Sequence, residues 1–277
     1  MKKLSAFTSA LSILVLALVS NVQAADMPDA PDAIVEEYSD PGQWTYELSP
    51  YFWAPGLKGN VAMFGAPTAA VDVKFADLFD AIHWGDFPAV FMGNGEATNG
   101  TFGVYGDILT FSLEVGALTS PAPPVLVSAE LGLRMTVATA MGFYRAVDEP
   151  DGYLDLMAGA RFWSVDGNLQ LLAGGAGPIG GFARFATDSE AWTDLMIGAK
   201  GRVDIAEKVF LEGWGMFGGF GIASDTSWDL YGAIGYEYND WITLQAGWRY
   251  VAVDYTSGPF VMDVQLNGPM FEATFKF

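Results

Sequence analysis

From Trp44 onward the apolar positions recur every second residue, not every third or fourth. Between Ser227 and Asn239 one parity reads Trp228, Leu230, Gly232, Ile234, Tyr236, Tyr238 and the other Asp229, Tyr231, Ala233, Gly235, Glu237, Asn239. After Asn239-Asp240, the parity Ile242, Leu244, Ala246, Trp248, Tyr250 alternates with Thr243, Gln245, Gly247, Arg249. Residues 193–205 separate Leu195, Ile197, Val203 and Ile205 from Asp194, Lys200, Arg202 and Asp204. Residues 126–137 separate Leu131, Leu133, Met135 and Val137 from Ser128, Glu130, Arg134 and Thr136. A period of two puts the two sets on opposite faces of a strand, a division no helix can hold. In 101–115 the alternation changes phase near Asp107–Leu109, which predicts a β-bulge.

A strand apolar on one face requires either a protein core or a lipid bilayer behind that face. A β-sandwich outside the membrane satisfies the first. Three features favour lipid. Trp228 at one end of its apolar parity, and Tyr236 and Tyr238 at the other, match interfacial girdles. Charges fall mid-strand on the opposite parity, and the alternating runs exceed the usual five or six residues of a sheet strand. The longest uncharged runs, 115–129 and 169–183, are broken by proline or glycine and are too short to span as helices. Ahead of the strands, Lys2 and Lys3, the apolar stretch 11–19 and Val22-Gln23-Ala24 read as a secretory signal over residues 1–24. Residues 25–43, acidic and without a basic residue, read as a periplasmic leader, and 44–277 as the barrel.

The end of the chain is the most specific segment. Phe271, Ala273, Phe275 and Phe277 alternate with Glu272, Thr274 and Lys276. In this the chain resembles bacterial outer-membrane β-barrel proteins, which end in an amphipathic strand with a terminal phenylalanine read by the barrel-assembly machinery. The opening stretch from Trp44 to Gly56 is similar to that of small porin-like barrels. The resemblance implies an all-β, antiparallel up-and-down barrel in the outer membrane of a Gram-negative bacterium, in contact with outer-membrane lipid and lipopolysaccharide. It assigns Phe271, Phe275 and Phe277 to the assembly signal.

Turn chemistry sets the strand count. Short polar turns at Asn99-Gly100, Glu149–Gly152, Ala206–Lys208 and Asn239-Asp240 all fall on the periplasmic side if Phe277 does. Ten strands follow: 44–63, 87–98, 101–115, 124–145, 151–172, 188–205, 208–222, 226–239, 241–256 and 269–277. Twelve result if 57–63 and 69–74 form a membrane hairpin of their own. The outer loops are then 64–86, 116–124, 173–187, 223–226 and 257–268. In the first of them Phe75, Leu78, Phe79 and Ile82 recur at helical spacing, as in a short helix packed on the rim.

Composition narrows the chemistry. The chain of 277 residues has no cysteine and one histidine, which excludes disulfides and thiolate metal sites. Its 13 Lys+Arg against 33 Asp+Glu argue against nucleic acid. Gly175–Gly180 and Gly213–Gly218 both spell G-x-G-x-x-G, but neither lies between a parallel strand and a helix, so neither reads as a dinucleotide site. His83, in Ile82-His83-Trp84-Gly85-Asp86, is the one candidate for a lipid-modifying catalytic centre, and no serine stands near it in sequence. No cofactor, metal or catalytic residue is expected.

Function is therefore sought in the lumen. The polar parity projects Glu47, Glu96, Asp107, Glu130, Asp155, Asp194, Asp204, Glu237 and Glu272 inward with Arg134, Arg161, Lys200, Arg202, Arg249 and Lys276, among Tyr51, Tyr105, Trp163 and Tyr231. Such charges must pair or be hydrated. The leading expectation is a non-enzymatic, narrow porin-like channel for small hydrophilic solutes or ions. A closed structural or surface-interaction barrel is the alternative, and an outer-membrane lipid-modifying enzyme the third. Removing Phe277, or converting Phe275 and Phe277 to Ser, should lower the amount of heat-modifiable barrel in the membrane fraction. Unchanged levels would count against the assembly signal.

Overall fold

The computed structural model describes residues 43–82, 90–122, 125–175 and 182–277. The signal segment, the leader up to residue 42, His83 and most of Gly175–Gly180 lie outside them. Twelve strands run β1 (Thr45–Trp53), β2 (Gly56–Ala62), β3 (Ala69–Val73), β4 (Val90–Thr98), β5 (Phe102–Ala122), β6 (Val125–Glu149), β7 (Gly152–Gly175), β8 (Phe182–Ala206), β9 (Val209–Gly218), β10 (Thr226–Asn239), β11 (Ile242–Ser257) and β12 (Phe260–Lys276). Among the described residues one helix, α1 (Phe75–Asp80), precedes β4. Strands β1 and β4 to β12 pair antiparallel in chain order, and β1 pairs with β12, so ten strands close a barrel. The seam runs from Glu47 opposite Lys276 to Trp53 opposite Met270. Its last link is the backbone of Phe277, whose N–H donates to the carbonyl of Tyr46 (2.9 Å).

The two remaining strands explain why the chain reads as either ten or twelve. After Ala54-Pro55, β2 continues along the upper part of β12, with Gly56 opposite Asn267 and Ala62 opposite Val261. Strand β3 folds back on β2 as a hairpin. The first wall position is thus one long path broken at a proline, which cannot donate to the ladder. The expected loop 257–268 is instead mostly strand. Phe260, Met262, Val264 and Leu266 are buried on the inner face, and a two-residue turn at Gly258-Pro259 (Gly258 φ +56°) suffices.

All four expected short turns lie at the end of the barrel where both terminal strands finish, called here the terminal end. Asn99 and Asn239 build two of them in the same way. Each side-chain oxygen accepts from the backbone N–H groups two and three residues on, at 2.8–3.0 Å. On the outer face an apolar band extends along β10 from Trp228 to Tyr238, both exposed. Ten residue steps at about 3.3 Å, tilted by roughly 40°, give a height of about 25 Å, the thickness of an outer-membrane apolar band.

Strands β6, β7 and β8 have 25, 24 and 25 residues, more than twice what such a band requires. Their excess projects from the far end, and there the two faces exchange character. Ile108, Ala138, Phe162 and Thr193 form one outward row across β5 to β8. Two residues further on, the outward row is Thr110, Thr136, Ser164 and Ala191, followed by Ser112, Arg134, Asp166 and Ser189. The inner face changes in the opposite sense, from Tyr105 and Asp107 to Leu109, and from Thr139 to Val137, Met135 and Leu133. Beyond the band the outside is water and the inside a protein core, so the polarity pattern inverts while the register is unbroken.

That inversion corrects two expectations. The phase change near Asp107–Leu109 is no bulge, because β5 pairs without a shift through this stretch on both sides. Glu130 and Arg134 do not face the lumen. They lie on the outward parity of β6, beyond the apolar row, where Arg134 Nε donates to Ser112 Oγ (3.1 Å) and Glu130 is exposed. Leu133 and Met135 correspondingly face inward. Helix α1 packs near the barrel wall, with Phe75 edge-on to outward-facing Phe52 at 5.9 Å.

The facing can be tested with two arginine substitutions. Ile234→Arg, in the middle of the apolar band, should cost about 2–4 kcal/mol in lipid vesicles. Ser164→Arg, one row beyond it, should change stability by less than about 0.5 kcal/mol. Equal losses in urea titrations of the two variants would place the border elsewhere.

Candidate functional site: the filled lumen

The inward parities bring charged side chains of non-neighbouring strands into contact, and those contacts are stacked in layers along the barrel axis. The central layer is built on Arg249 of β11. Its guanidinium donates Nε and Nη2 to the two carboxylate oxygens of Asp229 (3.1 and 2.7 Å) and Nη1 and Nη2 to those of Asp107 (3.2 and 2.9 Å). Nη1 also donates to Tyr51 Oη (2.9 Å), which in turn donates to Asp107. Asp229 further accepts from Trp214 Nε1 (3.0 Å) and from Arg161, whose Nε donates to Thr139 Oγ1 (2.9 Å). Two arginines and two aspartates compensate one another, all nearly or wholly inaccessible. Bidentate pairing in low dielectric makes these contacts strong only because every charge has its partner.

Toward the far end the lumen is aromatic and aliphatic. Trp163, Trp192 and Tyr255, from β7, β8 and β11, stack nearly parallel, with centroids 5.7 and 3.9 Å apart. Phe260 of β12 meets Tyr255 edge-on at 6.0 Å. Asp194 accepts from the backbone N–H and hydroxyl of Ser224 (2.9 and 2.8 Å), and Ser224 Oγ accepts from Trp192 Nε1 (2.9 Å), which ties the turn between β9 and β10 to the stack. Between this core and the central layer lies a void of about 10 Å³, room for one water at most.

Over the far mouth the tip of the β2–β3 hairpin crosses to the opposite wall. The Phe64 N–H donates to Asp188 Oδ2 (2.6 Å) on β8. Phe64 holds a positive φ of 59°. A Cβ at Gly167 of β7 would lie 2.6 Å from Met63 Cε and 2.8 Å from Phe64 Cζ, so the hairpin tip rests on a glycine seat.

Toward the terminal end the lumen opens into a polar vestibule of about 290 Å³. At its floor Lys200 pairs with Glu96 and, at 3.7 Å, with Glu212. Glu272 accepts from Asn94 Nδ2 (2.6 Å) and Gln245 Nε2 (3.4 Å). Nearer the rim Arg202 bridges Asp204 and Glu237, and its guanidinium lies 3.7 Å over the Phe210 ring. Arg145 forks onto Asp155 (2.8 and 3.1 Å). Glu47 and Lys276 line the rim, opposite one another across the seam.

Asp107, Arg161 and Arg249 therefore meet in the central layer, Asp194 lies above it, and Glu47, Glu96, Lys200, Arg202, Asp204, Glu237, Glu272 and Lys276 line the vestibule. Asp155 is buried against Arg145. Glu130 and Arg134 join none of these groups. Further members were not singled out from sequence, among them Asp229, Glu212, Arg145 and Thr139. Asp229 stands on the polar parity of 227–239, and the alternation alone places it inward. Glu212 precedes a run in which outward glycines alternate with inward Trp214 and Met216, so hydropathy hides its side. Arg145 and Thr139 lie on the parity of 126–145 that the inversion makes apolar further up. Gly213–Gly218 lies wholly within β9, and a Cβ at Gly213 would sit 2.6 Å from the Tyr231 carbonyl, which accounts for that glycine without a ligand.

Of Phe271, Phe275 and Phe277, the first is exposed on the outer face opposite Ala246 and the last is exposed at the terminal end. Among the described residues no group of three His, Asp or Glu side chains is arranged to hold a metal ion, and no helix is long and apolar enough to cross a membrane.

The chain matches no protein-family model and no curated protein. Solved structures do share its architecture. The outer membrane protease OmpT from Escherichia coli aligns at a TM-score of 0.50 and 12% identity, over 86% of this chain and 97% of that one. This chain has the fold of a bacterial outer-membrane β-barrel. Weaker likenesses are to the attachment invasion locus protein Ail of Yersinia pestis (TM-score 0.30, 12% identity, 84% and 98% covered) and a Pseudomonas aeruginosa FadL homologue (0.29, 8%, 87% and 93%). At 12% identity the likeness to the protease carries the fold and no activity.

The central layer of this barrel should dominate its stability. Asp229→Ala leaves Arg161 and Arg249 short of counter-charge and should cost about 3–5 kcal/mol. Arg202→Ala, at the hydrated rim, should cost about 1 kcal/mol or less. Urea unfolding of both variants in vesicles gives the comparison.

Proposed function

We propose that the protein is a non-enzymatic outer-membrane barrel with a closed lumen, open as a vestibule to the periplasm and presenting a rigid, water-facing strand extension outside the cell. One observation carries this reading. Above the vestibule, the neutral Arg–Asp layer and the aromatic stack follow one another with a void of only about 10 Å³ between them, and the hairpin tip lies over the mouth. A hydrated solute path needs polar groups facing water along its whole length, whereas Trp163, Trp192, Tyr255 and Phe260 face one another.

The orientation rests on the termini and the four short turns sharing one end, which outer-membrane barrels place in the periplasm. The assembly machinery and lipopolysaccharide remain the partners this placement implies, with the exposed Phe277 at the periplasmic rim. The non-enzymatic reading is supported by the chemistry of the buried serine nearest an acid. Ser224 is fully buried and its hydroxyl is engaged by both Asp194 and Trp192, so it is not available as a nucleophile.

Refolded, heat-modifiable protein in planar bilayers should give no discrete openings at either polarity. Regular unitary currents would instead support the narrow channel, and the vestibule's acid excess would then predict cation preference in reversal potentials under a salt gradient.

A further inference from the structure

The floor of the vestibule is polar, enclosed and incompletely paired. Lys200 stands there among three carboxylates, Glu96, Glu212 and Glu272, while Arg145 and Arg202, which line the same cavity, are engaged by Asp155 and by Asp204 and Glu237. Lys200 engages the first two. Glu272 is buried, accepts only from Asn94, Gln245 and Thr274, and among the described residues has no Lys or Arg within ion-pair distance. A buried carboxylate without a cation is costly unless it takes up a proton or another positive group reaches it.

A second feature is independent of the acids. Gln245 lines the same cavity at 7% exposure, and its Oε1 has no hydrogen-bond partner. The amide orientation is set by its own Nε2, which points at Glu212 (3.5 Å) and Glu272 (3.4 Å). Tyr105 Oη, 4% exposed and also lining the cavity, is likewise unpartnered. Two carboxylates therefore converge on one amide beside a free carbonyl oxygen and a free hydroxyl, in a cavity that opens to the terminal end.

We propose that this floor binds a small organic cation bearing a primary ammonium. An ammonium carries three donors and one charge. It supplies the counter-charge Glu212 and Glu272 share, donates to Gln245 Oε1, and reaches the site from the vestibule mouth past Glu47. An anion would meet the carboxylates first, and the residues offer no metal-binding group of three. The site needs the vestibule alone, so a conducting barrel would overturn the closed reading and leave this one standing.

The test is calorimetric titration of the refolded full chain in detergent micelles with methylammonium chloride. One saturable site per barrel is expected, weakened by about tenfold or more in Glu272→Gln and unchanged in Asp240→Asn, on a surface turn at the same end. Should Glu272→Gln fail to refold, tetramethylammonium on the wild type decides. It has equal charge and no N–H donor, and should bind at least about tenfold more weakly than methylammonium. No saturable binding of methylammonium, equal affinity in folded Glu272→Gln, or equal affinity for tetramethylammonium would each overturn the proposal.

Discussion

Everything inside this barrel is arranged around a guanidinium that has to be fully hydrogen-bonded where water cannot reach it. Arg249 meets that demand by taking two carboxylates and a phenol at once. Because Asp107, Asp229 and Tyr51 come from three other strands, and Arg161, Thr139 and Trp214 complete the set, one network joins seven of the ten wall strands. Its strength comes from completeness, since a buried pair stabilises little over an apolar replacement but leaves a severe penalty when one partner is lost. The dry aromatic core above and the hydrated vestibule below both follow from the same layer, which separates them.

The outer surface obeys a different constraint, set by what lies against it. Within the apolar band, Trp228, Leu230 and Ile234 face outward and polar groups inward. Past the row of Ile108, Ala138 and Phe162 the assignment reverses without any change of register. Each long strand is thus two amphipathic segments of opposite sense joined end to end. The reversal lets a single chain be a membrane barrel at one end and a water-surrounded barrel at the other.

This reversal also decides how much could be read from the residues. The alternation in 193–205, 227–239 and 242–250 lies within the band, where apolar means outward, and the ten-strand barrel, its four short turns and the burial of Lys200 and Arg249 follow from it. The same rule applied to 126–137 turns that segment inside out, which sends Glu130 and Arg134 to the wrong face and makes a polarity switch in β5 look like a bulge. Local alternation specifies which residues share a face, but not which medium that face meets. The pairings within the lumen were beyond reach for a further reason: Tyr51 and Arg249 are 198 residues apart, and only strand register and barrel closure bring them together. The hairpin tip across the mouth, with Phe64 donating to Asp188, is legible only once Gly167 is known to leave it room.

The seam between the first and last strands gives this interior an order in time. Arg249 arrives on β11 beside β12, whereas Tyr51 arrives on β1, and the two are joined only when β1 pairs with β12. Contacts of such long sequence separation form late, after the loop entropy between them has been lost. Before closure, Arg249 and Asp107 face an open trough that water can enter, and nothing yet requires them to shed their hydration. Sealing the wall and drying the central layer are therefore one event, and a barrel one strand short of closure has no half-finished plug on which to rest.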